Sequence, residues 1–332
     1  MSTATPLRIG ILGAARIAPM ALIRPARQVP EAAVTAVAAR DPKRAAIFAR
    51  KHGIPRVADS YAALLADPEI DAIYNPLPNS LHASWTIQAL EAGKHVLCEK
   101  PLAANADEAR TMAEAATRCN RVLVEAFHYR YHPLAARMRA IIDSGALGTV
   151  RHIEATMCIP LPIPGDIRYQ WKLAGGATMD VGCYAINLVR FLAGAEPEVV
   201  HAEARLASAK VDRWMTADLH FADGRSGRIT CSLLSPQLLR LRAIVRGDRG
   251  EMRVFNPFAP HFYHRLSVRT PHGSTRERVA GDTTYTHQLR AFVAAVRTGA
   301  PVPTTADDAI ANMAVIDAVY EKAGLPRRGS GE

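Results

Sequence analysis

The sequence lacks several features that would assign it directly to a class of protein. It contains no run of about 18 or more apolar residues, the length that a membrane-spanning helix requires. Its first residues, Met1 to Pro6, do not combine a basic region with an apolar core, so they do not indicate a secretory signal. We therefore expect a cytoplasmic protein with no membrane partner.

Cysteine is scarce, and its spacing excludes two further classes of protein. The five cysteines are widely separated and no C-x-x-C motif occurs. This pattern is typical of reduced, buried thiols rather than of a disulfide framework or a zinc site. His128 and His132 are four residues apart, but Pro133 follows them and no H-E-x-x-H motif surrounds them. We therefore expect no metal site.

Dense clusters of positive charge are also absent, although the formal net charge is +10. The basic residues are scattered, and the only dense cluster is Arg327-Arg328, in a tail that we expect to be frayed. Such a distribution suits an anionic cofactor and does not predict a nucleic-acid partner. At 332 residues, the chain is long enough for two domains.

Small residues surround the first predicted turn from strand to helix. The apolar run Leu7–Leu12 predicts a strand, and a helix is predicted over about 16–29. Between them lies the pattern Gly10-x-x-Gly13-x-Ala15. Small residues at such a turn allow the backbone to approach a pyrophosphate and the helix to pack on the strand. The pattern therefore predicts a dinucleotide-binding turn.

The end of the second predicted strand, at about 34–39, bears on the choice of cofactor. It continues into Arg40-Asp41-Pro42. An acidic side chain at this strand end binds the ribose 2′-hydroxyl of NAD, whereas an arginine suits the 2′-phosphate of NADP. Because Asp followed by Pro is typical of a helix start, we expect Asp41 to cap a helix that ends near His52. Arg40, with Arg44 one turn later, can then face the phosphate. We expect NADP in preference to NAD.

Three more predicted strands complete the first half of the chain. They lie at about 70–74, 95–98 and 122–125, and helices separate them. Strands that alternate with helices predict a parallel, doubly wound sheet. The strand at 95–98 runs into Glu99-Lys100-Pro101, so Lys100 is expected at the carboxyl edge of the sheet, where ligands bind. Asn79 and His82, near the start of the helix after the strand at 70–74, are also expected at the cofactor edge. The alternative to a ligand contact is a surface lysine for Lys100, a helix cap for Asn79 and a packed first-turn residue for His82.

Alternating runs in the second half predict a large antiparallel sheet. A helix is predicted at about 131–144, a strand at about 150–157 and a proline-rich loop at 159–165. Five alternating runs follow, at 217–221, 226–233, 241–245, 251–255 and 266–269. Two helices close the chain, and an apolar stripe from Tyr285 to Val296 indicates a core contact. We expect domains at 1–126 and 127–332, the second with an open sheet face.

Between these parts, the stretch Gly175 to Tyr184 runs into a helix that ends at about Leu192. Asp180 and Tyr184 are four residues apart, so they would share one helix face. A phenol has a pKa of ~10, and a nearby ammonium group lowers it. Lys100 can supply that charge, and Asp180 can orient the lysine or a substrate hydroxyl. The alternative is a capping aspartate and a half-buried tyrosine.

These stretches together resemble the glucose–fructose oxidoreductase / inositol dehydrogenase (Gfo/Idh/MocA) family over nearly the whole chain. The resemblance depends on the glycine turn, Asn79 to His82, Ala92 to Pro101, Glu125 to Pro133 and Gly175 to Tyr184. Many members have a histidine at the position of Tyr184. The tyrosine resembles the branch that contains dimeric dihydrodiol dehydrogenase and NADP-dependent xylose dehydrogenase.

The resemblance implies an α/β protein with an N-terminal Rossmann domain and a C-terminal α/β domain with a mostly antiparallel, open-faced sheet. It also implies NADP or NAD as cofactor, and hydride transfer at a secondary or anomeric carbon of a sugar, polyol or cyclic diol. Carried over to this chain, the catalytic residues are Lys100, Tyr184 and Asp180. Candidate substrate contacts are Arg168, Trp171, Tyr129 and Arg130. The cofactor-binding residues expected from the motifs are Gly10, Gly13, Ala14, Ala15, Arg16, Ile17, Arg40, Arg44, Pro76, Asn79, His82, Glu99 and Lys100.

Two other functions remain open from the sequence. One is a regulatory or sensor protein that binds the cofactor, although such a protein need not keep Lys100, Asp180 and Tyr184 together. The other is an NAD-assisted glycosidase, which would release no net reduced cofactor. We also expect a homodimer or homotetramer, because an uncovered apolar sheet face tends to be buried against a second copy.

Overall fold

The computed structural model of the chain describes residues 5–163 and 165–329. The prediction of no secretory signal rests on Met1 to Pro6, and most of that stretch lies outside the described residues. So does Pro164 of the predicted proline-rich loop. The chain forms two units. Unit 1 contains the described part of Met1–Ala103, together with Asp107–Tyr131 and Asp282–Ala309. Unit 2 contains Ala104–Ala106, His132–Gly281 and the described part of Ile310–Glu332.

Unit 1 contains a sheet of six parallel strands in the order β3-β2-β1-β4-β5-β6. This is the strand order of the Rossmann fold, and it reverses direction between β1 and β4. The predicted parallel, doubly wound sheet is therefore confirmed. Its strands are β1 (Leu7–Leu12), β2 (Ala32–Ala38), β3 (Arg56–Val57), β4 (Ala72–Asn75), β5 (His95–Cys98) and β6 (Leu123–Glu125).

The helices that follow β1 to β5 connect the parallel strands. The first differs from the prediction, because it begins with a π-helical turn at Pro19–Ile23 rather than at residue 16. Proline fits the first turn of a helix, where its missing N–H has no partner to lose. The helices up to residue 118 are α1 (Arg24–Ala26), α2 (Pro42–His52), α3 (Tyr61–Ala66), α4 (His82–Glu91) and α5 (Ala106–Arg118).

Helix α8 (Thr284–Thr298), near the end of the chain, returns to unit 1. The apolar stripe predicted there packs in the same core as β1 and β4, through Tyr285, Leu289, Phe292 and Val293. The predicted division at residues 126 and 127 stays a prediction. The two compact units differ from it, because unit 1 continues to Tyr131 and includes residues 282–309, whose apolar stripe completes its core.

Unit 2 contains an eight-stranded sheet in the order β14-β13-β12-β11-β7-β10-β9-β8. All its neighbouring strands are antiparallel except β7 and β10. The prediction of a large, mostly antiparallel sheet is confirmed. Its strands are β7 (Val150–Cys158), β8 (Glu198–Ser208), β9 (Val211–His220), β10 (Ser226–Ser232), β11 (Arg240–Gly247), β12 (Glu251–Phe255), β13 (Arg265–Thr270) and β14 (Gly273–Glu277).

One face of this sheet packs against helix α7 (Cys183–Ala193), which is buried along almost its whole length. Two further helices complete the structure: α6 (Pro133–Asp143), in unit 2, and α9 (Ala306–Lys322). The face of the sheet toward α7 includes the buried side chains of Ile153, Ala155 and Ile229. Alternation along each strand therefore directs the side chains between them to the opposite face.

The opposite face of the sheet carries charged side chains rather than the apolar side chains that we predicted. Arg228 and Asp218 pair across β10 and β9 at 2.6 Å, and Arg242 pairs with Glu154 across β11 and β7. Arg246 and Glu251 form a further pair at 2.9 Å. We therefore call this surface the charged face. The prediction of an apolar face failed because alternation places the apolar residues on the face toward α7 and leaves the polar residues on the other face.

Helices long and apolar enough to cross a membrane are absent from the described part of the chain. Among residues 5–163 and 165–329, no three His, Cys, Asp or Glu side chains come together in a way that could hold a metal ion.

Candidate active site

The glycine turn after β1 has the geometry that a pyrophosphate-binding turn requires. Gly13 has a φ of +87°, which favours glycine, and its N–H donates to the carbonyl oxygen of Ala38 at 2.6 Å. A Cβ atom on Gly13 would lie 3.1 Å from Leu77 Cδ2, in the loop after β4. The turn is therefore held at the point where the strand order reverses. The next residues, Ala14 and Ala15, are small and half-buried, so the backbone here is open to a ligand.

Two exposed arginines lie just beyond the carboxyl end of β2. The Asp41 side chain accepts hydrogen bonds from the backbone N–H groups of Lys43 and Arg44, which confirms its predicted role as the cap of α2. Asp41 is thereby engaged with the helix. The guanidinium groups of Arg40 and Arg44 are exposed and form no ion pair with any described residue. These two cations are available for an anionic ligand.

Lys100 lies at the carboxyl edge of the unit 1 sheet, as predicted. Lys100 follows β5, and two hydrogen bonds fix the preceding residue, Glu99. The Glu99 N–H donates to the Asn75 carbonyl oxygen at 3.0 Å, and the Tyr74 hydroxyl donates to Glu99 Oε1 at 2.6 Å. These bonds tie the loop of Lys100 to the end of β4. Lys100 itself is half-buried.

His82 contacts both the loop that carries Lys100 and the segment that follows β4. Its ring is fully buried, with Nδ1 2.9 Å from the Pro101 carbonyl oxygen and Nε2 2.7 Å from that of Leu77. Burial lowers the pKa of His82. A buried ring offers little surface to a dinucleotide, which disfavours the predicted direct cofactor contact. The ring links the loops after β4 and β5.

The other predicted cofactor residues in unit 1 lie near these loops or along the glycine turn. Pro76 and Asn79 are half-buried in the segment after β4, Ile17 is half-buried and Arg16 is exposed. Asn79 begins a 3-10 turn whose N-cap residue is Pro78. Gly10 lies inside β1, where a Cβ atom would approach Leu64 within 3.1 Å.

Asp180 and Tyr184 lie in unit 2, on either side of a change in helix type. Asp180 belongs to a π-helical turn at Thr178–Gly182, and Tyr184 to the first turn of α7. π-helical turns occur frequently at functional sites. The Tyr184 side chain is 6% exposed and packs edge-on against Phe258, with ring centroids 6.0 Å apart. At the start of the π-helical turn, Asp212 accepts the hydrogen bond from the Thr178 N–H.

The Asp180 carboxylate forms an ion pair with Arg168, a predicted substrate contact. Arg168 Nε lies 3.0 Å from Asp180 Oδ2, and Arg168 Nη1 lies 3.1 Å from Asp166 Oδ1. The Asp180 charge raises the pKa of Arg168, so this side chain remains a cation. Arg168 is one-third exposed and can hold a substrate oxygen while it fixes Asp180.

The remaining predicted substrate residues differ from one another. Trp171 is half-buried in unit 2, whereas Tyr129 and Arg130 lie in unit 1. Tyr129 is 1% exposed and packs near Phe127, so it offers almost no surface to a substrate. The Arg130 side chain, mostly buried, lies 3.6 Å from an Asp308 carboxylate oxygen. The structure does not support substrate contacts for Tyr129 and Arg130, since burial already accounts for both.

Residues that the sequence analysis missed hold the segment that carries Asp180. Arg328, predicted to lie in a frayed tail, is fully buried and pairs with the fully buried Asp212 at 2.9 Å. A basic pair near the end of a chain gives no sequence signal of burial. Asp212 lies in an alternating strand pattern, in which an inward-facing acid is the only available clue.

Two family models match the chain, one in each half of the sequence. The model of an oxidoreductase family with an NAD-binding Rossmann fold, GFO_IDH_MocA, matches residues 7–127. The model of the GFO/IDH/MocA C-terminal domain matches residues 135–253.

Two curated relatives are named for their reactions. D-xylose 1-dehydrogenase (NADP(+)) 2 of Haloferax volcanii is 36% identical over 318 residues, which is 96% of this chain and 97% of the relative. Trans-1,2-dihydrobenzene-1,2-diol dehydrogenase of Xenopus tropicalis is 33% identical over 223 residues, which is 67% of this chain and 66% of the relative.

A solved structure resembles the chain over nearly its whole length. A 3-ketoreductase from Actinomadura kijaniata, in complex with NADP and TDP-benzene, has a TM-score of 0.90 and 30% identity, with 96% of this chain and 98% of that chain covered. Structures of the same enzyme include one variant with a lysine replaced by alanine and one with a tyrosine replaced by phenylalanine, both with the same two ligands.

Proposed function

The chain belongs to the Gfo/Idh/MocA family of NAD(P)-dependent oxidoreductases, and on this premise we propose that it transfers a hydride between the nicotinamide and a secondary or anomeric carbon of a sugar, polyol or cyclic diol. One observation carries the proposal. The chain has Lys100 at the carboxyl edge of the Rossmann sheet and Tyr184 at the start of α7. Their separation in sequence equals that of the lysine and tyrosine replaced in the Actinomadura kijaniata variants.

The residues of unit 1 fit a nicotinamide dinucleotide. The turn at Gly13 would hold the pyrophosphate, because it follows β1 at the point where the strand order reverses. Arg40 and Arg44 would hold the 2′-phosphate of NADP. A bound nicotinamide supplies the hydride acceptor or donor, which leaves every proton movement to side chains of the protein.

We assign the proton movement to Tyr184 and Lys100. As a carbonyl is reduced, Tyr184 Oη would donate a proton to the new alkoxide oxygen, and in the reverse direction it would accept the hydroxyl proton. The Lys100 ammonium would stabilise the phenolate left behind. Arg168 and Asp180 would orient substrate oxygens, since their charges are fixed at 3.0 Å from one another.

The proposed function is tested by incubating the protein with NADP or NAD and a panel of aldoses, polyols and cyclic diols, with the nicotinamide absorbance recorded. We expect cofactor reduction with at least one member of the panel. Tight cofactor binding without turnover on any member would favour a sensor. Cleavage of a glycoside with no net reduced cofactor would indicate a glycosidase.

The arginines after β2 predict a preference for NADP. Replacing Arg40 by alanine should weaken NADP binding by about 1.5–3 kcal/mol, the contribution of a hydrogen bond to a charged group, and leave NAD binding nearly unchanged. Calorimetry with each cofactor measures the difference. Arg50 is an exposed arginine in the last turn of α2, and Arg50→Ala is the matched control. An unchanged ratio of NADP to NAD affinity would show that Arg40 does not bind the 2′-phosphate.

The charged face of the unit 2 sheet motivates a proposal of self-association. Rows of alternating charge can match a second copy under two-fold symmetry, and exposed Val200 and Phe255 add apolar area to the same face. We expect light scattering to report a homodimer or homotetramer at micromolar concentration. Arg253→Glu should weaken this association, whereas Arg118→Glu, in unit 1, should not. A wild-type monomer would contradict the proposal.

A further inference from the structure

Arg328 is the only arginine among the described residues whose side chain is fully buried. Its Nη2 lies 2.9 Å from Asp212 Oδ1, and its Nε donates to the Gly175 carbonyl oxygen at 2.7 Å. Its guanidinium lies over the Tyr320 ring at 4.0 Å and over the Trp171 ring at 4.8 Å. One side chain from the end of the chain thus contacts the segment that leads to Asp180 and Tyr184.

Asp212, the partner of Arg328, binds the start of that segment directly. Its Oδ2 accepts hydrogen bonds from both the backbone N–H and the hydroxyl of Thr178, each at 2.7 Å. Its Oδ1 accepts a further bond from the Tyr320 hydroxyl at 3.0 Å. Burial raises the pKa of Tyr320, so its phenol keeps the proton that it donates. The carboxylate therefore has four donors, and two of them belong to the first residue of the π-helical turn.

The turn between these contacts is fitted closely to the ion pair. Gly176 has a φ of +140°, and a Cβ atom there would lie 2.2 Å from Asp212 Oδ1 and 2.9 Å from Arg328 Nη2. The Gly176 N–H donates to the Arg168 carbonyl oxygen at 2.8 Å, and its own carbonyl oxygen accepts from the Asp180 N–H at 3.0 Å. The turn thus connects the ion pair to Arg168 and Asp180, the two charges described above.

A contribution to folding stability does not by itself explain a buried ion pair such as Arg328 and Asp212. The cost of removing two charges from water often equals or exceeds their attraction, and an apolar pair of similar size is frequently as stable. A buried pair in which both members form hydrogen bonds to one turn can instead fix the conformation of that turn. Asp212 and Arg328 meet this description, because Asp212 binds Thr178 and Arg328 binds Gly175.

We propose that Arg328 and Asp212 are positioning residues, which hold the turn at 175–178 so that Asp180 and Tyr184 have the orientation needed for catalysis. The inference rests on the proposed function, because it assigns that orientation to the same hydride-transfer site. Neither residue is a catalytic residue, since both are buried and act through the turn. The cofactor residues of unit 1 are not part of this network.

The test uses the full-length protein with Arg328→Lys, Arg328→Met and Asp212→Asn, and with Arg327→Met as the matched control. Arg327 is the preceding residue, has the same side chain and is half-exposed. NADPH affinity, kcat and KM are measured for each variant on the accepted substrate. Hydrogen exchange followed by mass spectrometry is measured for the peptide that covers 175–184. Addition of guanidinium at low concentration tests for rescue of Arg328→Met.

We expect the Arg328 and Asp212 variants to lose at least tenfold in kcat, with NADPH affinity within about twofold of wild type. Exchange at 175–184 should be faster, guanidinium should restore part of the kcat of Arg328→Met, and Arg327→Met should match the wild type. Normal kcat with normal exchange in folded Arg328→Lys and Arg328→Met would overturn the inference. An equal loss of kcat and NADPH affinity would also overturn it, because the substitution would then have disturbed cofactor binding as well as the turn at 175–178.

The exchange measurement separates failure of the inference from failure of the proposed function. If no substrate of the proposed class is turned over by the wild type, the proposed function fails, and exchange still reports whether Arg328 holds the turn. If Arg328→Met fails to fold, Arg328→Lys retains the positive charge and most of the volume and decides the matter. Unchanged exchange in Arg328→Lys, with full guanidinium-independent activity, would count against the inference.

Discussion

Replacing Tyr184 by phenylalanine is expected to lower kcat by about 10²–10⁴-fold, the usual contribution of general acid–base catalysis. The substitution removes the proton and little volume. The phenylalanine ring can keep the edge-on packing against Phe258, so the fold should be preserved. Affinity for NADPH, which is expected to depend on unit 1, should remain near that of the wild type. Steady-state kinetics and a cofactor titration on the same preparation measure both quantities.

Tyr263→Phe is a suitable control for this substitution. Tyr263 lies in the same unit, its side chain is nearly half-exposed, and the loss of its hydroxyl should leave kcat unchanged. Full activity and an unchanged pH–rate profile for Tyr184→Phe would assign the proton to another group. The next candidates are Asp180 and His128, and the His128 Nδ1 atom lies 2.8 Å from the Thr284 hydroxyl.

Replacing Lys100 by alanine should cost at least as much as the change at Tyr184. It removes the positive charge that would stabilise a phenolate and also a group that would position the substrate hydroxyl. We expect a change in one limb of the pH–rate profile as well as a lower kcat, because the charge next to the proton donor is lost. Lys100→Met preserves most of the side-chain volume and separates the effect of charge from that of packing.

Lys51→Met, an exposed lysine of helix α2, is the control for the loss of a positive charge. Normal turnover by Lys100→Met would show that Lys100 is structural. The double variant of Lys100 and Tyr184 should cost clearly less than the two single losses combined, because residues that act as one unit are not additive. Additive losses would mean that the two side chains act independently.

Local signals in the sequence were sufficient for much of unit 1. The strand at 95–98 was predicted with its observed bounds, because a short apolar run lies between a helix-ending glycine and a polar loop. The role of Asp41 was also predicted, since an N-cap needs only neighbouring residues. The parallel sheet follows from the alternation of strands and helices. These features depend on interactions close together in the chain.

Contacts between distant residues explain what the sequence did not show. Helix α8 had a recognised apolar stripe, but only the fold reveals that the stripe completes the core of unit 1. The sequence predicts Arg328 to be a surface residue. In the structure it is buried against Asp212, which lies more than a hundred residues earlier in the chain. His82 was assigned to the cofactor because of its position, whereas its ring is enclosed by carbonyl oxygens of two loops.

Transfer of deuterium from substrate to cofactor tests the central claim most directly. The accepted sugar, polyol or diol is prepared with deuterium on its carbinol carbon and incubated with the protein and oxidised NADP, and the reduced cofactor is analysed by mass spectrometry. We predict that the reduced nicotinamide carries the deuterium, and that Tyr184→Phe forms the same labelled product more slowly. Reduced cofactor without deuterium, or cofactor that stays oxidised with every substrate of the class, would contradict hydride transfer by this protein.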